Sequence, residues 1–595
     1  MKNISQNWDL DSVFPGGSGS SAFAAYLDEL REGLKLLANS VAQTERKDDT
    51  QRWTVLVKLF QDASVRLRQA SAFISCLTAQ EVHDTKAQVL GAEVRQLRAE
   101  LSSISNLLEE QMLQINDDGW KQLLTHPELQ EIAFSLDEMR TQARLRLPAE
   151  QEVLANALAV DGYHAWGELY NSKISSRISI PIEREGRVQE MSVGQVANLF
   201  SHGDRELRKQ AFTKYEEAWS KEADLCGAAL NHLGGFRLSL YRARGWDSVL
   251  QEPLMINRMT QETLDSMWTA VEGSKARLLD YLNCKAQLLG LDGLEWFDVG
   301  APIGKTQKSY TYAEAAQFVV EQFSKFSSDM AELAERAIKA NWIEAEDRSG
   351  KRAGAFCTSF PESKESRVFM TFSGSSDNMF TLAHELGHAY HGSVLKDMAP
   401  MNQRYAMNVA ETASTFAELV VADAAIQATE TTDERLALLD SKIEQSVAMF
   451  MNIHARFLFE TRFYEKRKRG LVSVEDLNQL MVDAQKEAYA NGLKSYHPHF
   501  WASKLHFYIT GVPFYNFPYT FGYLLSQGLY ARALEEGPAF AQKYRALLQD
   551  TGRMTVEELV MTHLGEDLTT EAFWNRAVQN SLSDVDQFLS LVQSK

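Results

Sequence analysis

Cysteine and long apolar runs are both scarce in this chain. Only 4 of 595 residues are cysteine, and they lie far apart with no CxxC pair. A disulfide framework is therefore not expected, and a reducing compartment fits better. No uninterrupted apolar run approaches about 18 residues, so we expect no membrane-spanning helix. Because the first residues show no basic segment leading into an apolar core, we expect a soluble, cytoplasmic protein.

Basic residues are outnumbered by acidic ones, 61 to 80, which gives a net charge of −19. A negatively charged nucleic-acid backbone is therefore an unexpected partner. Proline is also rare, with 12 residues, and long runs such as 21–41 and 84–115 show helical apolar periodicity. The sequence predicts a mainly α protein, and its length predicts more than one lobe.

Two interruptions of the helical pattern divide the chain. The first, at residues 178–186, alternates Ile178, Ile180 and Ile182 before a glycine and predicts a small β-hairpin. We expect an N-terminal helical domain over residues 1–200, which includes this hairpin and carries no cluster of reactive side chains. Residues 201–595, which include the histidine-rich stretch considered next, are expected to form the second domain.

The second interruption precedes a histidine-rich stretch. Residues 353–359 and 367–372 are predicted to form two short strands joined by a turn. Residues 374–377 then supply turn and helix N-cap chemistry, so the next stretch, FTLAHELGHAYHG, is placed inside a helix. A small β-sheet is therefore expected beside that helix.

Three of the chain's 13 histidines fall within residues 384–391. His384 and His388 are four residues apart, so on a helix both imidazoles lie on one face and can reach one metal ion. Glu385 lies about 100° around the helix axis, where it can hold a water bound to that metal. This H-E-x-x-H arrangement is typical of zinc hydrolases with glutamate as the general base. Two aligned core histidines are the alternative. Gly387 costs helix stability, which suggests that another backbone approaches closely there.

A third metal ligand must come from another element, because a catalytic zinc takes three protein ligands. The helical pattern at residues 408–427 offers Glu411 and Glu418 on one face. We expect Glu411 to be the ligand and Glu418 either to orient a ligand histidine or to belong to a solvated helix face. His391 lies about 10 Å along the helix from His384, and it is either a cleft-lining or a packing residue.

The segments HELGHAYHG and AETASTFAE together resemble the thimet-type metallopeptidases, most closely the oligoendopeptidase F branch. WDLDSVFP at residues 8–15 and AVDGYHAWGELYNS at residues 159–172 are also similar to that branch, so the resemblance covers nearly the whole chain. It implies two helical lobes around a deep channel, with one zinc ion at the channel floor. It also implies cleavage of short unstructured peptides. The strand at 366–372 is expected to offer a free edge to an extended peptide.

The family also implies a tyrosine, with a nearby histidine, that stabilises the oxyanion from a C-terminal segment. Residues 506–526 supply the candidates, although the spacing before Gly522-Tyr523-Leu524 departs from the family pattern. We expect Tyr515 as the donor, with Tyr508 and Tyr519 as the alternatives, and His506 as a second catalytic contact. The weaker candidates for substrate binding are His391, Tyr508, Tyr519 and Gly374. His497 and His499 are interpreted as structural, and an aromatic core is the alternative for much of this segment.

The predicted function is that of a zinc-dependent metalloendopeptidase acting on oligopeptides, with His384, His388 and Glu411 as ligands and Glu385 as the general base. Two alternatives remain open at this stage. One is a zinc hydrolase of a non-peptide amide, and the other is a non-catalytic peptide-binding protein. The sequence indicates neither the cleavage-site preference nor the oligomeric state.

Overall fold

The structure, a computed structural model, describes residues 4–43, 49–184, 186–304 and 309–594. It is 72% helical, with two small sheets in the described residues, so the prediction of a mainly α fold is confirmed. No helix in the described parts of the chain combines the length and apolar character needed to cross a membrane.

The N-terminal helices surround a core of their own. They are α1 Ser21–Ala42, α2 Thr50–Gln80, α3 Thr85–Leu113, α4 Asp117–Leu123, α5 Pro127–Gln130 and α6 Ala133–Arg144. Their apolar faces bury residues from Trp8 to Leu136, and burial of such surface is the main driving force for their packing. Three residues from much later in the chain complete this core: Phe360, Phe369 and Met401.

The remaining helices form a second, larger core that runs from Ala159 to Phe588. They are α7 Ala149–Ala159, α8 Ala165–Leu169, α9 Val193–Asn198, α10 Arg205–Ala243, α11 Gln251–Ile256, α12 Gln261–Leu288, α13 Tyr312–Phe326, α14 Ser328–Lys339, α15 Ser376–Leu395, α16 Thr412–Gln427, α17 Thr432–Val447, α18 Ile453–Arg467, α19 Val474–Ala488, α20 Phe500–Ser503, α21 Phe517–Glu536, α22 Phe540–Asp550, α23 Val556–Leu564 and α24 Glu571–Gln593. In the first part of the chain, buried core residues up to Leu136 belong to the first core, and those from Ala159 onward belong to the second. The domain boundary at residue 200 stays a prediction.

A two-stranded antiparallel hairpin lies at the predicted place. It consists of β1 Ser179–Arg184 and β2 Arg187–Ser192, and Gly186 in the turn has φ +73°, a conformation that glycine adopts without strain. Ile180 and Ile182 point inward and are fully buried, as the alternation predicted. The hairpin prediction is confirmed.

The second sheet has three strands: β3 Ile343–Glu344, β4 Phe356–Phe360 and β5 Glu365–Phe369. Their order is β3-β5-β4, with β4 antiparallel and β3 parallel to β5. The expectation that the strand at 366–372 has a free edge is wrong, because β5 is the central strand and both its edges are paired. The open edge beside the histidine helix belongs to β4.

The histidine helix begins where the turn chemistry predicted. Ser375 is the N-cap of α15, and its Oγ accepts a hydrogen bond from the Asn378 backbone N–H at 3.2 Å. The Asn378 side chain accepts one in return from the Ser375 N–H, which completes a capping box. The helix therefore starts at a fixed residue, and this fixes which of its side chains face the neighbouring α16.

Candidate active site

Helices α15 and α16 cross in close contact at Gly387. A Cβ atom at this position would lie 2.5 Å from the Ala413 carbonyl oxygen and 2.6 Å from the Ser414 Cα. Real Cβ atoms do not tolerate such distances, so only glycine permits this crossing. The close approach brings the first residue before α16, Glu411, under the histidine face of α15.

Three side chains meet at this crossing. His384 Nε2 lies 3.2 Å and His388 Nε2 lies 3.4 Å from the same carboxylate oxygen, Glu411 Oε2. One ligand atom from each residue falls within 4.8 Å of the other two, so the three residues can hold one metal ion. All three side chains are half-buried, which leaves the site open on one side.

Neighbouring polar groups hold this trio in place. Glu418 Oε2 accepts a hydrogen bond from His384 Nδ1 at 3.0 Å, which directs Nε2 of that ring toward Glu411. Glu418 Oε1 is itself bonded by Gln445 Nε2 at 3.3 Å. The Ser414 hydroxyl donates to Glu411 Oε2 at 2.8 Å. The orienting role predicted for Glu418 therefore corresponds to a direct contact.

The electrostatics of the trio favour a bound cation. Burial opposes charge on His384, but its hydrogen bonds to Glu411 and Glu418 outweigh burial and raise its pKa to about 10. The same histidine contacts outweigh burial at Glu411 and lower the pKa of that carboxyl far below its usual range. The carboxylates of Glu411 and Glu418 thus favour a positive charge at His384, and a bound metal ion would supply one.

Glu385 lies beside the trio without joining it. Its side chain is 5% exposed, and its Oε2 atom has no hydrogen-bond partner among the described residues. Burial raises the pKa of this carboxyl above its ordinary value. A cavity of about 420 Å³, lined by His384, Glu385, Phe380 and Leu419 among others, adjoins it. A buried carboxylate oxygen without a partner is suited to accept a hydrogen bond from a water molecule.

Helix α21 packs against Glu411, the candidate metal ligand. A Cβ atom at Gly522 would lie 2.9 Å from the Asn408 carbonyl oxygen and 3.3 Å from the Glu411 Cβ. Tyr519 precedes this contact by three residues and so occupies the same face of α21. Burial, the neighbouring Tyr515 and the negative charge of Glu411 all raise the pKa of the Tyr519 phenol.

Tyr515, Tyr519 and His506 form a cluster that we call the tyrosine–histidine cluster. The His506 ring centroid lies 5.4 Å from that of Tyr515 and 6.2 Å from that of Tyr519. All three side chains are half-buried, and burial lowers the pKa of His506 to about 4. Its Nδ1 is buried without a partner among the described residues. The cluster therefore presents two phenols and a neutral imidazole.

Two predicted substrate contacts require correction. His391 has no exposed surface, stacks on Tyr405 at 4.3 Å and bonds Thr551 Oγ1 at 2.9 Å through Nε2. Tyr508 is 1% exposed and stacks on Tyr170 with ring centroids 3.7 Å apart. Because neither side chain reaches open space, both are packing residues in this structure.

Other residues singled out in the sequence also have structural contacts. Gly374 has φ +96°, and its carbonyl accepts a hydrogen bond from the Tyr310 N–H at 2.9 Å, so loop geometry explains the glycine. A substrate contact at Gly374 stays a prediction. The Tyr523 hydroxyl is bonded to Ser446 at 2.8 Å. His497 and His499 both bond Glu216, in line with a structural interpretation.

Sequence reasoning missed several residues that support the site. Ser414 and Gly522 contact Glu411, and Gln445 contacts Glu418. Ser414 stands three residues after Glu411, and this spacing could have indicated the contact from the sequence. Gln445 gave no local signal, because it lies 27 residues beyond Glu418 on a different helix.

Comparison with known proteins gives a consistent picture. Peptidase family M3 matches residues 198–579, more than half of the chain, and Oligopeptidase F matches residues 111–177. The chain is 24% identical to the group B oligopeptidase PepB of Streptococcus agalactiae, covering 96% of this chain and 94% of that protein. It is 22% identical to the oligopeptidase PepF of Bacillus subtilis, covering 95% and 84%. The crystal structure of oligoendopeptidase-F from Enterococcus faecium superposes with a TM-score of 0.72 at 18% identity, covering 96% and 99%. The chain that brings two histidines and a glutamate together at Gly387 is thus a peptidase that belongs to family M3.

Proposed function

We propose that this peptidase is a zinc-dependent endopeptidase that hydrolyses internal bonds of short unstructured oligopeptides. One observation carries the proposal: His384, His388 and Glu411 converge, and Glu385 stands beside them with a free carboxylate oxygen. Two imidazoles and one carboxylate are a donor set typical of catalytic zinc. Relatives named oligopeptidase support the peptide substrate class.

The chemistry divides between the metal site and the side chains around it. When bound to His384, His388 and Glu411, zinc supplies a Lewis acid that polarises a carbonyl and makes water more acidic. Glu385 accepts a proton from the attacking water and later delivers it to the leaving amine. A phenol of the tyrosine–histidine cluster donates a hydrogen bond to the scissile carbonyl oxygen as that oxygen gains negative charge. We favour Tyr515 as this donor, with His506 as a further contact.

Strand β4 gives the substrate a place to lie. Its outer edge is unpaired among the described residues, so an extended peptide can add to the sheet through backbone hydrogen bonds. The Glu385 charge helps to raise the pKa of the Cys357 thiol, after burial, which indicates that β4 runs close to the proposed base. A peptide on this edge would therefore pass the metal site in an extended form.

Replacing Glu385 with Gln is the decisive test. The variant should keep one zinc ion per chain by elemental analysis and lose nearly all cleavage of an internally quenched peptide. His388→Ala should lose both zinc and cleavage. Substantial peptidase activity in Glu385→Gln would exclude the general-base role, and wild-type protein that cleaves without bound metal would exclude the zinc mechanism.

A further inference from the structure

Two cations, Arg456 and Lys504, lie beside the tyrosine–histidine cluster. Both contact the ring of Phe500: the Arg456 Cζ lies 5.2 Å and the Lys504 Nζ 4.9 Å from its centroid. Such contacts with an aromatic face contribute about 0.5–2 kcal/mol. Both positive groups therefore lie against the same ring, at most about 10 Å from each other, and both side chains are half-buried.

Neither cation has an acidic partner among the described residues. Arg456 donates to two neutral amide oxygens, Asn452 Oδ1 at 2.9 Å and Asn516 Oδ1 at 3.0 Å. Lys504 Nζ makes no hydrogen bond or ion pair there. The chain has 80 acidic and 61 basic residues, yet no carboxylate of the described residues reaches either cation.

The surroundings make the two positive charges costly. Burial, followed by the charge of Arg456, lowers the pKa of Lys504 to about 7. Burial also lowers the pKa of Arg456 to about 10. A charge held away from water is stabilised only when an anion or a set of dipoles meets it. An anionic ligand would supply what the described residues of the protein do not.

The pair is placed next to the proposed reaction centre. The charges of Arg456 and Lys504 add to burial in lowering the pKa of His506, whose ring neighbours Tyr515 and Tyr519. After burial and Tyr515, the negative charge of Glu411 in turn helps to raise the pKa of Tyr519. Geometry agrees: Arg456 bonds Asn516, the residue after Tyr515, and Lys504 stands two residues before His506. Gly522, one helical turn after Tyr519, packs against Glu411, so a peptide that crosses the cluster would lie near both groups.

We propose that Arg456 and Lys504 form a subsite that binds a carboxylate of the substrate and thereby selects peptides with a negative charge a few residues from the scissile bond. This inference rests on the proposed function, since it assigns a substrate class to the same cleft. The carboxylate is either the C-terminus of the peptide or the side chain of Asp or Glu. Among the described residues, the Arg456 Nη2 amino group and the Lys504 ammonium have no hydrogen-bond partner, so both can make this contact.

The first experiment uses the wild-type zinc-loaded protein and matched quenched peptides. One pair differs only in a C-terminal acid or amide, and a second pair of C-terminal amides carries Asp or Asn at successive positions. A charge-assisted hydrogen bond should favour one acidic member by roughly tenfold or more in kcat/KM. Preference for the acid over the amide identifies the C-terminus, and preference for Asp identifies a side chain. Equal rates within both pairs would overturn the subsite.

Variants then locate the preference. Lys504→Met and Arg456→Met should each move the acidic-to-neutral ratio toward one, whereas Lys504→Arg should retain it. Lys86, an exposed lysine on α3, provides a control of the same type, because Lys86→Met removes one charge and should leave the ratio unchanged. A full preference in both Lys504→Met and Arg456→Met would contradict the proposal.

A binding measurement separates this inference from the proposed function. Labelled acid and amide peptides are titrated into Glu385→Gln, which reports affinity whether or not the wild type cleaves them. Tighter binding of the acidic peptide supports the subsite, and equal binding overturns it. If zinc-loaded wild type cleaves neutral peptides but shows no acidic preference, only the subsite fails. Should a Met variant fail to fold, competition between short acid and amide peptides on wild type gives the same answer.

Discussion

The two halves of the candidate site, the metal side and the tyrosine–histidine cluster, are held in place by different kinds of contact. On the metal side, backbones of α15 and α16 meet at Gly387, and His384 and Glu411 each have a close hydrogen-bond partner outside the trio. On the tyrosine–histidine side, the rings contact one another mainly through their edges, and His506 Nδ1 has no hydrogen-bond partner among the described residues.

This difference indicates a division of labour. A metal site needs ligand atoms at fixed separations before the ion arrives, because its geometry tolerates little error. A donor to the oxyanion needs its correct position only when charge develops on the substrate. We therefore expect substitutions on the metal side to lower zinc affinity, and substitutions in the tyrosine–histidine cluster to lower turnover alone.

The largest effect should come from the phenols. Tyr515→Phe should lower kcat by roughly 10²–10³-fold if Tyr515 donates to the oxyanion, because one donor contributes about that factor. Zinc content should stay at the wild-type level. Tyr519→Phe is the rival variant, and Tyr508→Phe is the control, since the Tyr508 ring is packed on Tyr170. Near wild-type kcat in both Tyr515→Phe and Tyr519→Phe would exclude these phenols as the donor.

Gly387→Ala should damage the metal side. The added methyl group must displace α16, and overpacking of this kind costs roughly 1–3 kcal/mol. We expect zinc affinity, measured by chelator competition, to fall by about 10–100-fold. Gly273→Ala is the matched control: this glycine also lies within a helix, α12, but a Cβ there meets no atom within 4 Å. Equal zinc affinity in the two variants would show that the close crossing does not position the ligands.

Glu418→Gln should have a smaller effect on the same side. The amide can still contact His384, but it carries no charge to hold the imidazole proton on Nδ1. Changes at such orienting carboxylates typically reduce metal affinity by about 10–100-fold, and this conservative change should lie at the lower end. The kcat of the zinc-saturated variant should change less than the zinc dissociation constant. The reverse pattern would point to a direct role in turnover.

The smallest effect concerns pH. The Lys504 ammonium is present below its pKa of about 7 and is lost above it, so the preference for acidic peptides should fall a few-fold between pH 6 and 9. The nearby groups do not mask this change: Arg456 keeps its charge, His506 is neutral above about 4 and Tyr519 stays protonated. The ratio of kcat/KM for acid and amide peptides measures it. A ratio that rises with pH would contradict the assignment to Lys504.

The sequence predicted the parts of the site that depend on local spacing. The four-residue separation of His384 and His388 requires only a helix, and the N-cap at Ser375 requires only the residues that follow it. Gly387 also indicated a close backbone, and the backbone that fills this place is that of Ala413 and Ser414 in the first turn of α16.

Other features depended on partners that are distant in sequence. His391 shares a helix face with its neighbours, yet Tyr405 and Thr551 enclose it. Tyr508 is buried by Tyr170, more than 300 residues earlier in the chain. The free edge was assigned to the wrong strand because the two-residue strand β3, which pairs with β5, has no periodicity to detect. Burial and strand order are properties of the assembled fold, so no local pattern specifies them.

The composition of the N-terminal core has a consequence for synthesis on the ribosome. That core includes Phe360, Phe369 and Met401, and Arg367 of β5 donates through Nε to the Asp9 carbonyl at 3.0 Å. The early helices therefore cannot finish packing until about two thirds of the polypeptide has been translated. Until then they expose an apolar surface that folding factors or nascent neighbours can bind. The three-stranded sheet beside the metal site is therefore translated late, and it completes the core of the helices that are translated first.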